Sequence, residues 1–379
     1  MRRPRAVLLL SALLTLGLVA VSACGGKTPP TDQTSGDPNQ GLGDAPQTGT
    51  TASATPGPGA PPPANNPPAP HSTLASKVGY VWVDQPASTY TASTAYQYNS
   101  GGGAIDVTHT ATGAYQVRFA GLANPGGVAH VQAYGHNSNY CAVMSWSDAG
   151  SDENISVRCY DAGGSPTDST FTASFAVGSM GAARFSYLWA DQQGSTAKYK
   201  PRAEYRYDAV SSSGITVQRT NAGRYEVFLP ASGPQLPGAW TFQVTAHGSP
   251  TLCKLAGFSA GNRKAQVACR NAAGSFQDTR FALTFASSGS FVGRTDQPYG
   301  AFSEANDGVE NPSTGNYSIR VPGLGQDKGQ AVAVARGTFS TYCHVAGWDA
   351  AGADLDVDIV CFNPGGAAAS SSFELAVTL

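Results

Sequence analysis

Beyond residue 76 the chain alternates apolar and polar side chains in short runs. In the first hundred residues of this stretch they are Ala104-Ile105-Asp106-Val107-Thr108, Tyr115 to Phe119, Val128 to Tyr134, Ile155 to Cys159 and Phe171 to Val177, each bounded by Gly, Asn, Asp or Ser clusters. Period two over such runs is the pattern of a half-buried strand, and helical periodicity is absent outside the first two dozen residues. The pattern repeats. Asp84-Gln85, Asp191-Gln192 and Asp296-Gln297 each open a copy, followed by Gly113-Ala114-Tyr115, Gly223-Arg224-Tyr225 and Gly315-Asn316-Tyr317, then by a cysteine pair, then by Phe171, Phe281 and Phe373. The third copy is shorter and is expected to lack a strand, including the tyrosine run seen as Tyr90/Tyr96/Tyr98 and Tyr199/Tyr205/Tyr207 in the other two.

The expected fold is all-β: three tandem β-sandwich modules, immunoglobulin-like in architecture only, over 77–183, 184–286 and 287–379. Six of the seven cysteines form the pairs Cys141/Cys159, Cys253/Cys269 and Cys343/Cys361, with Gly150, Gly261 and Gly352 at the midpoints. Each pair reads as a disulfide across an antiparallel hairpin. Cys141 falls opposite Cys159, Val143 opposite Val157 and Ser145 opposite Ile155, so the cysteines share the inward face with apolar residues. On that register Trp146, Phe258 and Trp348, five residues past each first cysteine, point the other way.

At the N-terminus, Arg2, Arg3 and Arg5 precede an apolar stretch from Val7 to Val21, about fifteen residues and too short to span a bilayer comfortably. Residues 1–23 read as a signal peptide. The run ends Val21-Ser22-Ala23-Cys24, which resembles the lipobox of bacterial lipoproteins. That resemblance implies cleavage before Cys24, lipidation of Cys24 and an extracytoplasmic protein anchored to a bacterial membrane. Ordinary cleavage after Ala23, giving a free secreted protein, is the alternative. Residues 24–76, rich in Pro, Gly and Thr with almost no large apolar side chain, read as a disordered tether with a span of roughly 40 Å.

Without the signal the chain holds 20 basic and 25 acidic residues, which argues against a general nucleic-acid binder. The copies differ: 3 basic and 7 acidic in the first, 12 and 5 in the second, 4 and 10 in the third. Lys198, Tyr199, Lys200, Arg202 and Arg206 concentrate part of the second copy's excess on one expected edge strand. Such an edge suits an anionic envelope polymer, and equally suits solubility and protection of a strand edge.

Few motifs carry candidate chemistry. Gly257-Phe258-Ser259-Ala260-Gly261 fits the nucleophile-elbow pattern, but it falls at a hairpin tip and only His247 lies nearby in sequence. Asp354, Asp356 and Asp358, and the group Asp148, Asp152 and Glu153, offer oxygen ligands without the spacing of a calcium loop. His109, His130 and His136 have no metal-ligand spacing and read as isolated surface residues, so no metal or cofactor is expected. Trp146 and Trp348 at loop mouths suit sugar stacking, or packing against a neighbouring module. The expected role is a non-catalytic, lipid-anchored surface protein for binding, adhesion or envelope organisation, with an envelope polysaccharide or a surface protein as partner. Glycan or anionic-polymer binding, and hydrolysis through Ser259, are the alternatives.

Overall fold

The computed structural model describes residues 76–178, 185–209, 214–230, 240–259, 261–287, 301–302, 309–321, 323–325 and 329–378. The expected signal, Cys24, nearly all of the tether, and Asp296-Gln297 lie outside them. The first copy contributes β1 (Lys77–Val83), β2 (Tyr90–Thr91), β3 (Gln97–Asn99), β4 (Ile105–Ala111), β5 (Ala114–Phe119), β6 (Val128–Ala133), β7 (Tyr140–Ala149), β8 (Asp152–Tyr160) and β9 (Phe171–Val177). The second adds β10 (Phe185–Ala190), β11 (Arg206–Asp208), β12 (Thr216–Asn221), β13 (Arg224–Phe228), β14 (Trp240–His247), β15 (Thr251–Ser259), β16 (Lys264–Asn271) and β17 (Arg280–Ser287). The third adds β18 (Ala301–Phe302), β19 (Val309–Ser313), β20 (Asn316–Val321), β21 (Gln330–Arg336), β22 (Tyr342–Ala351), β23 (Asp354–Phe362) and β24 (Ser372–Thr378). No α-helix occurs among the described residues, and no helix there is long and apolar enough to cross a membrane.

In the first copy β3-β1-β9-β6 faces β2-β4-β5-β8-β7, and alternate residues of both layers fill one core that includes Val81, Val107, Val117, Val131, Val143 and Phe171. This is a β-sandwich-like arrangement, because alternation gives each sheet one apolar face to cover. All three cysteine pairs, Cys141 with Cys159, Cys253 with Cys269 and Cys343 with Cys361, are disulfide-bonded across directly opposed positions of their hairpins. Disulfides of this kind are characteristic of oxidising, extracytoplasmic compartments.

The hairpins depart from the expected register at one point, in the same way each time. A β-bulge follows Val143, Leu255 and Val345, so Ser145 pairs with Ser156 and Trp146 with Ile155. One extra residue on the first strand reverses the phase beyond it. Trp146, expected to point outward, turns into the core and is only 1% exposed. The tips also differ: Gly150 and Gly352 are left-handed (φ 65° and 69°), but in the second hairpin Arg263 takes that conformation (φ 49°) and Gly261 does not.

A second device recurs beside the disulfides. The Tyr115, Tyr225 and Tyr317 hydroxyls accept the backbone N–H groups of Ser169, Thr279 and Ser371 at 3.1, 3.0 and 2.9 Å. In the first two copies Asp168 and Asp278 also accept from the N–H of Gly113 and Gly223, each at 2.7 Å.

The copies do not keep to separate sheets. A nine-stranded sheet, β11-β10-β17-β14-β7-β8-β5-β4-β2, joins the front of the second copy to the back of the first, and a seven-stranded sheet joins the back of the second to the front of the third. The joins are equivalent. The N–H groups of Gly248, Gly337 and Gly135 donate to the carbonyls of Val143, Leu255 and Val345 at 2.9, 2.9 and 3.1 Å. These link second to first, third to second and first to third, so the three copies close into a ring within one compact unit. Tyr140 and Tyr160 of the first copy, Ala246 of the second and Tyr342 and Phe362 of the third pack into one buried cluster. The Tyr140 hydroxyl donates to the Pro250 carbonyl (3.2 Å) and Tyr342 to that of Ser138 (2.6 Å), matched contacts that Leu252 of the second copy cannot make.

Candidate functional site

Ring closure builds two matched aromatic clusters at the junctions between copies. Between the first and second copies, Trp146 lies 5.7 Å from Trp189, 5.7 Å from Tyr205 and 5.2 Å from His247, ring centre to ring centre. Between the third and first, Trp348 lies 5.1 Å from Tyr134 and 6.2 Å from Trp82, and Trp82 lies 4.9 Å from Tyr96. Trp348 matches Trp146, Trp82 matches Trp189, Tyr96 matches Tyr205 and Tyr134 matches His247. The same loop and strand positions present all eight rings.

Only one cluster is closed. Trp146, Trp189, Tyr205 and His247 are each at most 3% exposed, whereas Trp348, Trp82, Tyr96 and Tyr134 are all half-buried. Two substitutions between copies accompany this difference. The Arg202 and Arg280 guanidiniums each sit 6.0 Å from the Trp189 ring, and Arg202 is anchored 3.5 Å from Asp191. At the matching positions of the first copy stand Ser93 and Thr170, too short to reach Trp82.

The open cluster has an acidic rim. Asp349 and Asp358 are exposed beside it, and the Tyr134 hydroxyl is pushed up to about 12, by burial first and then by the charge of Asp349, with smaller contributions from Tyr96 and Asp358. A Cβ placed on Gly347 would meet only the Tyr134 hydroxyl and an Asp358 carboxylate oxygen, both at 3.9 Å. Glycine therefore leaves a shallow floor between a phenol and a carboxylate, next to four aromatic rings.

Buried polar atoms without partners occur in both clusters, Trp82 Nε1 in the open one and more of them in the closed one. The ring nitrogens of His247, the indole nitrogens of Trp146 and Trp189, Asp191 Oδ1 and Glu153 Oε1 are buried without partners. Burial lowers His247 to about 3 and raises Glu153 to about 9, so both are neutral near pH 7.

The remaining expected sites scatter. Lys198 sits 3.6 Å over the Phe228 ring, the Tyr199 backbone pairs with Val217, and Ala203–Tyr205 forms a 3-10 turn. The Arg206 guanidinium donates to the Pro201 carbonyl. Only Lys198, Lys200 and Arg202 of this group are exposed, and the five do not line one strand edge because the turn interrupts the strand. Trp146, a candidate for sugar stacking, is buried and has no free face. Ser259 lies at the far end of β15, about 26 Å from its start at ~3.3 Å per residue, while His247 precedes β15 and is enclosed by tryptophans. The two are not brought together.

The disulfides stand apart from the open cluster and act through the core. Cys361 is fully buried among Tyr317, Val345, Ile359 and Phe373 of the third copy, its sulfur bonded to Cys343. Its backbone N–H donates to the Gly315 carbonyl at 2.8 Å, as that of Cys159 does to Gly113 and that of Cys269 to Gly223. Cys361 thereby helps to fix the hairpin that carries Trp348.

His130, expected at the surface, is 7% exposed and bonds Thr245 and Thr284 of the second copy at 2.9 and 2.7 Å. His109 bonds Asp168 at 2.9 Å. Among the described residues no three His, Cys, Asp or Glu side chains are grouped to hold a metal ion. The sequence reading missed Trp82, Tyr96 and Tyr134 as partners of Trp348. Their shared signal was the recurrence of aromatic residues at matched positions of the first two copies. The chain matches no family model, no curated protein and no solved structure.

Proposed function

We propose that this protein is a lipid-anchored, extracytoplasmic glycan-binding protein, in which three β-sandwich modules form one closed body and Trp82, Tyr96, Tyr134 and Trp348 form the sugar platform. The observation that carries this reading is the contrast between two matched aromatic clusters, one covered by arginines and the other left half-open with carboxylates at its edge. Sugar rings present apolar C–H faces to aromatic planes and hydroxyl groups to carboxylates and phenols, which is the combination found at this junction. Attachment through Cys24 and the tether over 24–76 would hold the platform within reach of an envelope polysaccharide. The chemistry asked of the residues is recognition, and no bond is made or broken.

The test is binding of the mature chain to an array of neutral oligosaccharides, followed by calorimetry with the best ligand. Trp348→Ala should weaken binding about tenfold or more, as loss of a stacking residue in a hot spot does. Arg202→Ala should not. Undiminished binding in Trp348→Ala, or no retention of any oligosaccharide, would refute the platform.

A further inference from the structure

The outer face of the second copy's disulfide hairpin carries an arrangement that the sugar platform does not use. Ala268 of β16 is flanked in register by Arg224 of β13 on one side and Lys254 of β15 on the other, and Arg270 follows two positions along. Because Cys253 and Cys269 point into the core, these four residues share the opposite face. The Arg270 and Arg224 guanidiniums both lie on the Phe276 ring, at 3.6 and 4.2 Å from its centre. Lys254 is 5% exposed and donates only to the Thr341 carbonyl (2.9 Å) and hydroxyl (3.3 Å) of the third copy.

Three cations thus surround one alanine without a compensating carboxylate. Among the described residues none of the three forms an ion pair, and the nearby Glu226 is held by Lys264 at 2.7 Å. Arg270 spends its two terminal nitrogens on the carbonyls of Gly274 (2.7 Å) and Thr338 (2.9 Å), but its Nε is buried with no partner. Burial, with the charge of Arg270 added, lowers Lys254 to about 8, and burial with the charge of Arg224 lowers Arg270. Lys254 faces a cavity shared with the third copy, while a neighbouring cavity of about 170 Å3 lies beside Arg224, lined also by Thr220, Gln266, Phe276, Thr338 and the Lys264-paired Glu226. At its rim the residue after Thr338 is Phe339, 79% exposed. The matching positions are Ala114, Arg158, Ala142 and Tyr160 in the first copy and Asn316, Val360, His344 and Phe362 in the third, so the triad is peculiar to the second.

Like charges held together in a partly buried place destabilise the fold unless something negative joins them. We propose that Arg224, Arg270 and Lys254 form an oxyanion-binding site that takes a phosphate, sulfate or carboxylate group, with the carrier of that group lying along the cavity towards Phe339. This assigns part of the second copy's positive charge to a place other than the Lys198 to Arg206 segment. It does not depend on the sugar platform.

The experiment is thermal unfolding of the mature chain in sodium phosphate, sodium sulfate and sodium acetate, each against sodium chloride at equal ionic strength, with titration calorimetry for the best anion. At least one oxyanion should raise the midpoint and bind. Arg224→Gln, an exposed position chosen because it leaves the fold alone, should weaken binding about tenfold, and Lys254→Met should raise the midpoint in chloride while abolishing the anion response. Trp348→Ala should leave that response intact, which separates this site from the glycan reading. A sulfated oligosaccharide held more tightly than inorganic sulfate would assign a polymer-borne anion, and equal binding a free ion; both support the site. No oxyanion effect beyond chloride, or an effect that Arg224→Gln and Lys254→Met both retain, would overturn it.

Discussion

Trp146→Ala tests whether the closed aromatic cluster holds the first and second copies together. The indole is 1% exposed and meets Trp189, Tyr205 and His247 edge to face, so truncation removes nearly a whole buried side chain and opens a cavity that spans two copies. Buried Trp→Ala changes cost about 3–5 kcal/mol, and a junction fixed by backbone bonds on both sides has little freedom to collapse. With a urea slope of about 3 kcal/mol/M, the unfolding midpoint should fall by about 1.3 M. The assay is urea unfolding of the mature, oxidised chain followed by circular dichroism, with Trp348→Ala alongside. Trp348 occupies the matching place but is half-buried, so its loss should cost about half as much. A cost below about 1 kcal/mol for Trp146→Ala, or equal costs for the two variants, would refute the reasoning that burial at this junction carries the difference.

Three further outcomes are expected. His130, His247 and His344 are held neutral by burial, at about 3, 3 and 4 against an ordinary 6.5. Their contribution is full above pH 6.5 and is lost as pH falls towards 4, at up to about 4 kcal/mol per pH unit for all three together, and His247→Phe should flatten that slope in denaturant titrations. Glu153 behaves in the opposite sense: its folded value, about 9 against 4.5, means that stability is lost as pH rises from 4.5 towards 9. Glu153→Gln should therefore stabilise at pH 8 and have little effect at pH 4 in the same assay. Replacing Cys141 and Cys159 together by alanine opens a loop of sequence separation 18 and should cost about 3 kcal/mol, measured as the difference in urea midpoint from the oxidised parent.

The parts of the fold legible in the sequence are those written locally. The cysteine pairs, Cys343 with Cys361 among them, could be matched because hairpin partners lie within one strand–turn–strand unit, and the matched tyrosines recur at fixed distances from them. The phase of Trp146 was not legible, because a single inserted residue after Val143 leaves the alternation on either side intact while reversing which face it names. The platform was half legible. Trp348 stood out by its repeated place, but its partners Trp82, Tyr96 and Tyr134 come from the other end of the folded chain. His130 was misplaced for a related reason: its partners Thr245 and Thr284 belong to another copy, and no spacing rule reaches across such a junction. The backbone bonds that join the copies, from Gly248, Gly337 and Gly135, impose no side-chain pattern that could be read beforehand.

The bond from Gly135 to Val345 gives the fold an order of assembly. A chain that emerges N-terminus first can complete its first two copies early, yet the edge of β6 must wait for β22, more than two hundred residues later by the separation of Gln132 and Val345 (213). Until then one seam stays exposed, with unpaired backbone and the faces of Trp82 and Tyr134 open to any other strand. The last copy made is the latch, so a chain truncated within it would lose the half-open aromatic cluster and also the means of leaving its earlier copies unentangled with their neighbours.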